Sequence, residues 1–398
     1  MKFFHLSDLH IGLKLIGRDL AADQEYILNE IVRKAGERRP DAVVIAGDIY
    51  DRAVPSAEAV DMFDRFITAL AGAVPEAAIM VISGNHDSPA RINLMRELLT
   101  SRRVYMIGHP PVREDEYIEK VTLTDAYGEV HFYLLPFVRP SMVRLITGYD
   151  DNGNSLTYDE AVRRLIAREK IDTAERNVLV SHQFYLPAGK EADEIERMDS
   201  EIRTVGNIDE VGADILQPFD YAALGHIHKP MSVGSNEYRY CGTPLACSSS
   251  EAGQEKGIIE VEIGPKGSVR TEVIPLIPLR QVRIVSGTLS EVLMKACDDY
   301  ITVELENEAG NEQGRSLTET WDPSEIYDRI REAFPNLLEI RRKDVRGASY
   351  DRGATNAEAV PDPVSLCTAF LNDLDDTELS ILTDVINSVM GGSRDETA

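Results

Sequence analysis

Five times before residue 230 the chain runs through three to five apolar residues and stops on a polar cluster rich in Gly, Asp, Asn or His. The runs are Phe3–Leu6 before Ser7-Asp8, Ala42–Ala46 before Gly47-Asp48, and Ile79–Ile82 before Ser83-Gly84-Asn85. Val178–Val180 before Ser181-His182 and Tyr221–Leu224 before Gly225-His226 complete the set. Runs this short suit strands buried on both faces better than helices. Helix-like stretches, Glu25–Ala35 and Ala57–Leu70, separate the first three. Strand–helix alternation implies an α/β layered domain. Further strand candidates at His131–Leu135, Gly257–Ile263 and Thr271–Leu276 make the expected fold a sandwich of mixed β-sheets flanked by helices.

A second unit is expected from Pro278. Gln281–Val285, Leu289–Cys297, Tyr300–Leu305, Pro323–Phe334 and Leu337–Arg341 read as β-α-β-α-β, a small α+β domain without histidine. The expected division is therefore 1–277, then 278–341, a Gly- and charge-rich linker over 342–361, and two short helices over 362–398. Asp362-Pro363 is a good N-cap with proline at the first helical position. Leu379, Leu382, Val385, Ile386 and Val389 fall on one face of the last helix, which suits partner docking.

Of 398 residues, 43% are hydrophobic and 28% charged, the balance of a soluble globular protein. No apolar run approaches the ~20 residues of a membrane span, and the amino terminus lacks a signal-peptide pattern. The cysteines Cys241, Cys247, Cys297 and Cys367 form no C-x-x-C pair, so a reducing cytoplasm is expected. The formal charge is −26. A chain so acidic is badly suited to gripping a polyanion unaided, because phosphate binding is led by Lys and Arg. Bound divalent metals, or a basic partner, would have to supply the missing charge.

The polar clusters are where chemistry concentrates: Asp8-Leu9-His10, Gly47-Asp48, Gly84-Asn85-His86-Asp87, Ser181-His182 and Gly225-His226-Ile227-His228. Asp8/His10 and His226/His228 are each two apart, and at a strand end that spacing places both side chains on one side. Ligands in α/β sheets sit beyond the carboxyl ends of strands, so all five clusters should face one crevice. Carboxylate, imidazole and amide donors together suit Mn²⁺, Fe²⁺ or Zn²⁺. With no thiolate expected nearby, a structural zinc site is disfavoured. Four histidines, two aspartates and an asparagine exceed the needs of one tetrahedral ion, which points to two ions sharing a carboxylate, a recurring arrangement for phosphate-ester hydrolysis.

In order and spacing these clusters resemble the calcineurin-like metallophosphoesterases, whose motif is D-x-H…G-D…G-N-H-D/E…H…G-H-x-H. The chain more specifically resembles the nuclease subunits of bacterial SbcC–SbcD complexes. His5-Leu6-Ser7-Asp8-Leu9-His10, Gly47-Asp48-Ile49-Tyr50-Asp51, Ala223-Leu224-Gly225-His226-Ile227-His228-Lys229-Pro230 and Tyr240-Cys241-Gly242-Thr243-Pro244-Leu245 carry that likeness. It extends over the small second domain and the terminal helices. The resemblance implies one ion on Asp8, His10, Asp48 and His228 and another on Asp48, Asn85, His182 and His226. It implies two divalent ions, Mn²⁺ above others, with His86 as a non-ligand that protonates the leaving 3′ oxygen or stabilises the transition state. It further implies DNA as substrate (duplex ends, hairpins and single strands), an SbcC-like coiled-coil ATPase partner and a homodimer of the nuclease subunit. Relatives outside the bacterial branch carry a histidine where this chain has Asp51, whose role the sequence leaves open.

Other polar residues receive plainer readings. His5, His109 and His131 are expected to be structural or superficial, Cys241 and Cys247 to be packing residues, and Glu191–Glu201 a solvated acidic face. Asp87 could orient a ligand or cap the helix that Ser88-Pro89 begins; the cap is preferred. Arg91 and Arg139 are candidate phosphate contacts, although lone arginines are usually solvated. The rival functions are a phosphoesterase acting on nucleotides or phosphoproteins, and a scaffold with a dead site, against which the complete ligand set and His86 argue.

Overall fold

The computed structural model describes residues 1–187, 210–306 and 323–343. The expected acidic face at Glu191–Glu201 and the expected helices over 362–398 lie outside them. Two six-stranded mixed sheets form the larger part. The first has Lys2–Leu6, Ala42–Ala46, Ala78–Ile82 and Val104–Ile107 running parallel, with Lys256–Ile263 antiparallel beside Lys2–Leu6 and Val269–Leu276 on its outer edge. The second centres on three parallel strands, Gly128–Leu135, Arg176–His182 and Tyr221–Gly225, with Ser235–Tyr240 parallel to the last. Glu119–Asp125 and Met231–Val233 close its edges in antiparallel pairing.

Alternation along the strands explains how these sheets stack. In Ala42–Ala46 the residues Ala42, Val44 and Ala46 join a core shared with Phe132, Leu134, Val178, Val180, Tyr221 and Ala223 of the other sheet. The intervening Val43 and Ile45 face the opposite way, into a core with Ile27, Ile31, Phe63, Phe66 and Leu70 of the helices Ala21–Arg38 and Ala57–Ala73. The second sheet repeats the rule, with Leu179, Ala222 and Leu224 packed against Val162, Leu165 and Ile166 of the helix Tyr158–Arg168. Helix, sheet, sheet and helix therefore form four layers around three apolar seams. Strands buried on both faces must be apolar at every position, which is why they appear in the sequence as unbroken runs.

Residues from Val282 build a third sheet. Val282–Gly287, Tyr300–Glu306 and Leu337–Lys343 are parallel and packed on the helices Leu289–Leu293 and Pro323–Ala333 through Val285, Val292, Ile301, Val303, Ile330 and Phe334. The last strand runs to Lys343, two residues into the stretch read from sequence as linker. Among the described residues no helix is long and apolar enough to cross a membrane.

Candidate metal centre

The carboxyl ends of both large sheets meet at one edge, and there the polar clusters converge. Their approach depends less on strand pleat than the sequence spacing implies. The first strand ends at Leu6 and the strand of His226 at Gly225, so both D-x-H and H-x-H lie in loops. Asp8, His10, Asp48 and His226 have φ of 52°, 43°, 49° and 103°, four of the nine positive-φ non-glycine residues described. Such conformations cost of order 1–3 kcal/mol each and persist only where surroundings impose them. Here the imposition is visible: Asp8 N–H donates to Gly47 O at 3.0 Å, His10 N–H to Asp48 O at 3.0 Å and Ile11 N–H to Ile49 O at 2.9 Å. The two loops are thus laced together along their length.

Asp87 draws in the third loop. Its carboxylate accepts from the N–H groups of Ile49 at 3.0 Å, Tyr50 at 2.9 Å and Gly84 at 2.9 Å. The preferred cap reading is therefore wrong: Ser88 occupies the N-cap position of Pro89–Ile92 without a side-chain cap bond, and Asp87 instead ties the Asp48 loop to the Asn85 loop. Burial and the nearby Asp48 charge raise its pKa to about 6, against the pull of those three N–H groups. Glycine leaves the necessary room. A Cβ on Gly84 would lie 2.1 Å from Asp48 Oδ1, and one on Gly225 2.0 Å from Ala46 O.

All seven expected ligands come together with His86. His10 Nε2 faces His228 Nε2 at 3.1 Å, and Asp48 Oδ2 lies 3.7 Å from His10 Nε2 and 3.3 Å from His182 Nε2. Asn85 Oδ1 is 2.9 Å from His182 Nε2 and 3.0 Å from His226 Nδ1. Asp8, His10 and His228 form one group able to hold an ion, Asp8, Asp48 and His182 another, and His10, Asp48 and His86 a third. Asp8, His10, Asp48, His182 and His228 are all at most 2% exposed, and His226 is buried too.

The electrostatics are those of a pocket short of positive charge. Burial alone would lift Asp48, yet His182, His10 and His86 outweigh it and hold the carboxyl well below its ordinary value. Burial raises Asp8, which His182 and His228 only partly oppose. Burial lowers His182 too, but the Asp48 and Asp8 carboxylates and the Ala46 carbonyl reverse that and bring it to about 9. His10 is kept neutral by burial and by His228. Donor chemistry fits divalent cations. His228 turns Nδ1 towards Glu251 Oε1 at 3.5 Å, which leaves an Nε2 lone pair facing His10. A cation between the rings satisfies both Nε2 atoms at once.

With that geometry in place, the match to a family model over residues 1–230, described as calcineurin-like phosphoesterase, decides the matter. This chain belongs to that family. It is a family of metal-dependent phosphoester hydrolases, and the matched span includes every candidate ligand and His86. Among solved structures the calcineurin-like chain is similar to the protein TT1561 of Thermus thermophilus, at 12% identity over 68% of this chain and 98% of that one, with a TM-score of 0.39. It is similar also to a dimetal phosphatase from Danio rerio, at 14% identity over 69% and 96% of the two chains, with a TM-score of 0.40.

Around the site, Gln24 and Phe137 had no signal in the sequence, and Asp51 had only an open one. His86 Nδ1–H donates to the carbonyl of Asp51 at 2.8 Å, so Asp51 serves through its backbone while its carboxylate pairs with Arg52 at 3.4 Å. Gln24, in the first turn of its helix, donates to His10 O at 2.7 Å and accepts from Gly12 N–H at 3.0 Å. Phe137 stacks over the His226 ring at 6.4 Å and 19°, with the Arg139 guanidinium 5.8 Å above it. Cys247 is the buried packing residue expected: its Sγ lies within reach of His228 and Glu251, but burial pushes the thiol up and keeps it protonated. His5 is the structural residue expected, held between Tyr221 Oη at 3.0 Å and Leu224 O at 3.2 Å.

Proposed function

We propose that this phosphoesterase is a DNA nuclease, cutting phosphodiester bonds with two divalent ions, most suitably Mn²⁺, as the nuclease subunit of an SbcC–SbcD-type repair complex. The observation that carries the reading is the convergence of overlapping donor groups, two of which share Asp48, with His86, a member of one of them, tethered from behind by Asp51. When bound, the two ions would polarise the phosphate and lower the pKa of an attacking water. The chain's own part is orientation and proton transfer. Asp48, ionised between the two ligand sets, fixes their separation; Asn85 draws His182 and His226 together. His86, on the open side of Asp48, is placed to give a proton to the leaving 3′ oxygen. Arg139 over Phe137 forms a cationic, aromatic rim next to His226, suited to a nucleotide unit.

The segments shared with the SbcC–SbcD nucleases favour DNA, whereas the charge argues against binding it unaided. At −26 the chain repels a polyanion almost everywhere, so productive binding calls for a basic ATPase partner docked on residues 362–398 and for a second nuclease subunit. The deciding comparison sets Mn²⁺-dependent cleavage of hairpin and duplex-end DNA against hydrolysis of a nucleoside monophosphate and a phosphopeptide. DNA cleavage abolished by chelator and by Asp48→Ala is the expected result. Turnover of the monoesters without DNA cleavage, with the ATPase partner present, would overturn the nuclease reading in favour of a nucleotide or phosphoprotein phosphatase.

A further inference from the structure

Behind His228, on the side away from His10, lies a charged pair that the hydrolytic chemistry does not use. Glu251 closes the short turn Ser249–Glu251 and is 1% exposed; Lys256, which opens the strand Lys256–Ile263, is 6% exposed. The carboxylate Oε2 accepts from Lys256 Nζ at 2.6 Å and Thr243 Oγ1 at 2.9 Å. Oε1 accepts from Ser248 Oγ at 3.1 Å and faces His228 Nδ1 at 3.5 Å. Lys256 Nζ also donates to the backbone carbonyl of His228 at 3.1 Å and to Gln254 Oε1 at 3.0 Å. One ion pair thus grips both the ring and the main chain of a single residue.

A buried ion pair is a poor way to stabilise a fold, since apolar residues of equal volume would often serve as well or better. Its geometry gives the better reason for its presence. A carboxylate on Nδ1 fixes the tautomer with the proton on that nitrogen, aims Nε2 at the centre, and makes the ring a stronger donor. We propose that Glu251, itself fixed by Lys256, Thr243 and Ser248, is a positioning residue for His228 and sets the affinity of one ion of the pair. The proposal rests on the reading of His228 as a metal ligand.

The test is Mn²⁺ titration of the chelator-stripped full chain by calorimetry, with low-temperature electron paramagnetic resonance to tell coupled ions from isolated ones. Wild type should bind two ions and give the coupled signal. Glu251→Gln, which keeps shape and an acceptor but loses the charge, should weaken one ion about 10- to 100-fold and leave the other unchanged. At intermediate Mn²⁺ the coupled signal should then give way to that of an isolated ion, whatever stability the broken pair with Lys256 costs in chelator. Thr243→Val removes one hydrogen bond to the carboxylate and should weaken the same ion severalfold, which keeps the test open if Glu251→Gln fails to fold. Folded variants that bind both ions at wild-type affinity would overturn the proposal, as would equal weakening of both ions. Wild type binding fewer than two ions, or His228→Ala binding two unchanged, would instead overturn the metal-ligand reading beneath it.

Discussion

His86 has only two ring nitrogens, and the Asp51 carbonyl claims the proton on one. A neutral ring bonded that way carries a lone pair on Nε2 and has nothing to give a leaving oxygen. To act as an acid it must hold both protons when the leaving oxygen departs. Substituting His86→Asn should therefore slow DNA cleavage by roughly 10²- to 10⁴-fold, the usual worth of general acid catalysis, while metal content by mass spectrometry stays at the wild-type stoichiometry. Lost metal would show that the grouping of His86 with His10 and Asp48 is one of ligands. At this scale the sequence was informative about which residues meet and uninformative about what holds them. The ligands stand in a fixed order of clusters, whereas Asp87, Gln24, Glu251 and the Asp51 carbonyl act through a handful of hydrogen bonds that leave no periodicity or composition to read.

The elements most legible in advance were those whose surroundings demand one kind of residue. Ala42–Ala46, apolar on both faces, was readable to the residue, and the helix Ala57–Ala73 extends its reading by only three. Glu119–Asp125 escaped because only Val121 and Leu123 point inward there, and Ser235–Tyr240 because it is nearly all polar. The helix Tyr158–Arg168 carried a start signal, the capping box of Thr157 and Glu160, that went unused. Strand-to-loop junctions decide the site, and their glycines can be sorted by space. Gly84→Ala would drive a methyl into Asp48 and should cost about 1–3 kcal/mol of stability together with Mn²⁺ binding. Gly72→Ala, in the helix Ala57–Ala73 with open space around it, should instead be neutral or stabilising by about 0.5–1 kcal/mol. Parallel denaturant melts and metal titrations of the two variants would check both; equal behaviour would remove the packing argument.

Across the whole molecule, the two large sheets are pinned at the edge opposite the site by Arg176, whose guanidinium is 4% exposed along the side chain. It reaches Asp125 by two bonds, at 2.6 and 3.1 Å, and the carbonyls of Glu129, Gly128 and Gly264, the last from the other sheet. Arg176 holds the Asp125 carboxyl below its ordinary range, chiefly by hydrogen bonding. A carboxyl lowered on folding stabilises above its unfolded pKa of ~3.9 and loses that contribution as pH falls through the lower folded value. Asp125→Asn should cost about 1.5–3 kcal/mol at neutral pH, the range for hydrogen bonds to a charged group, since Asp125 is only part-buried and Arg176 keeps three carbonyl partners. The gap from wild type should narrow below about pH 4, as urea melts at stepped pH would reveal; a constant gap would exclude the linkage. Deleting residues 362–398 should spare Mn²⁺-dependent hydrolysis of a small phosphodiester but abolish co-purification with the ATPase partner; full-strength co-purification would reject that docking site. The centre itself joins what the chain keeps far apart, with His10 and His228 separated by 218 positions. During synthesis, then, a chain whose ribosome has not passed Gly225-His226-Ile227-His228 lacks one expected ligand of each ion, and neither sheet alone can complete the set. On that ligand set, a chain stopped short of His226 and His228 holds no complete metal centre.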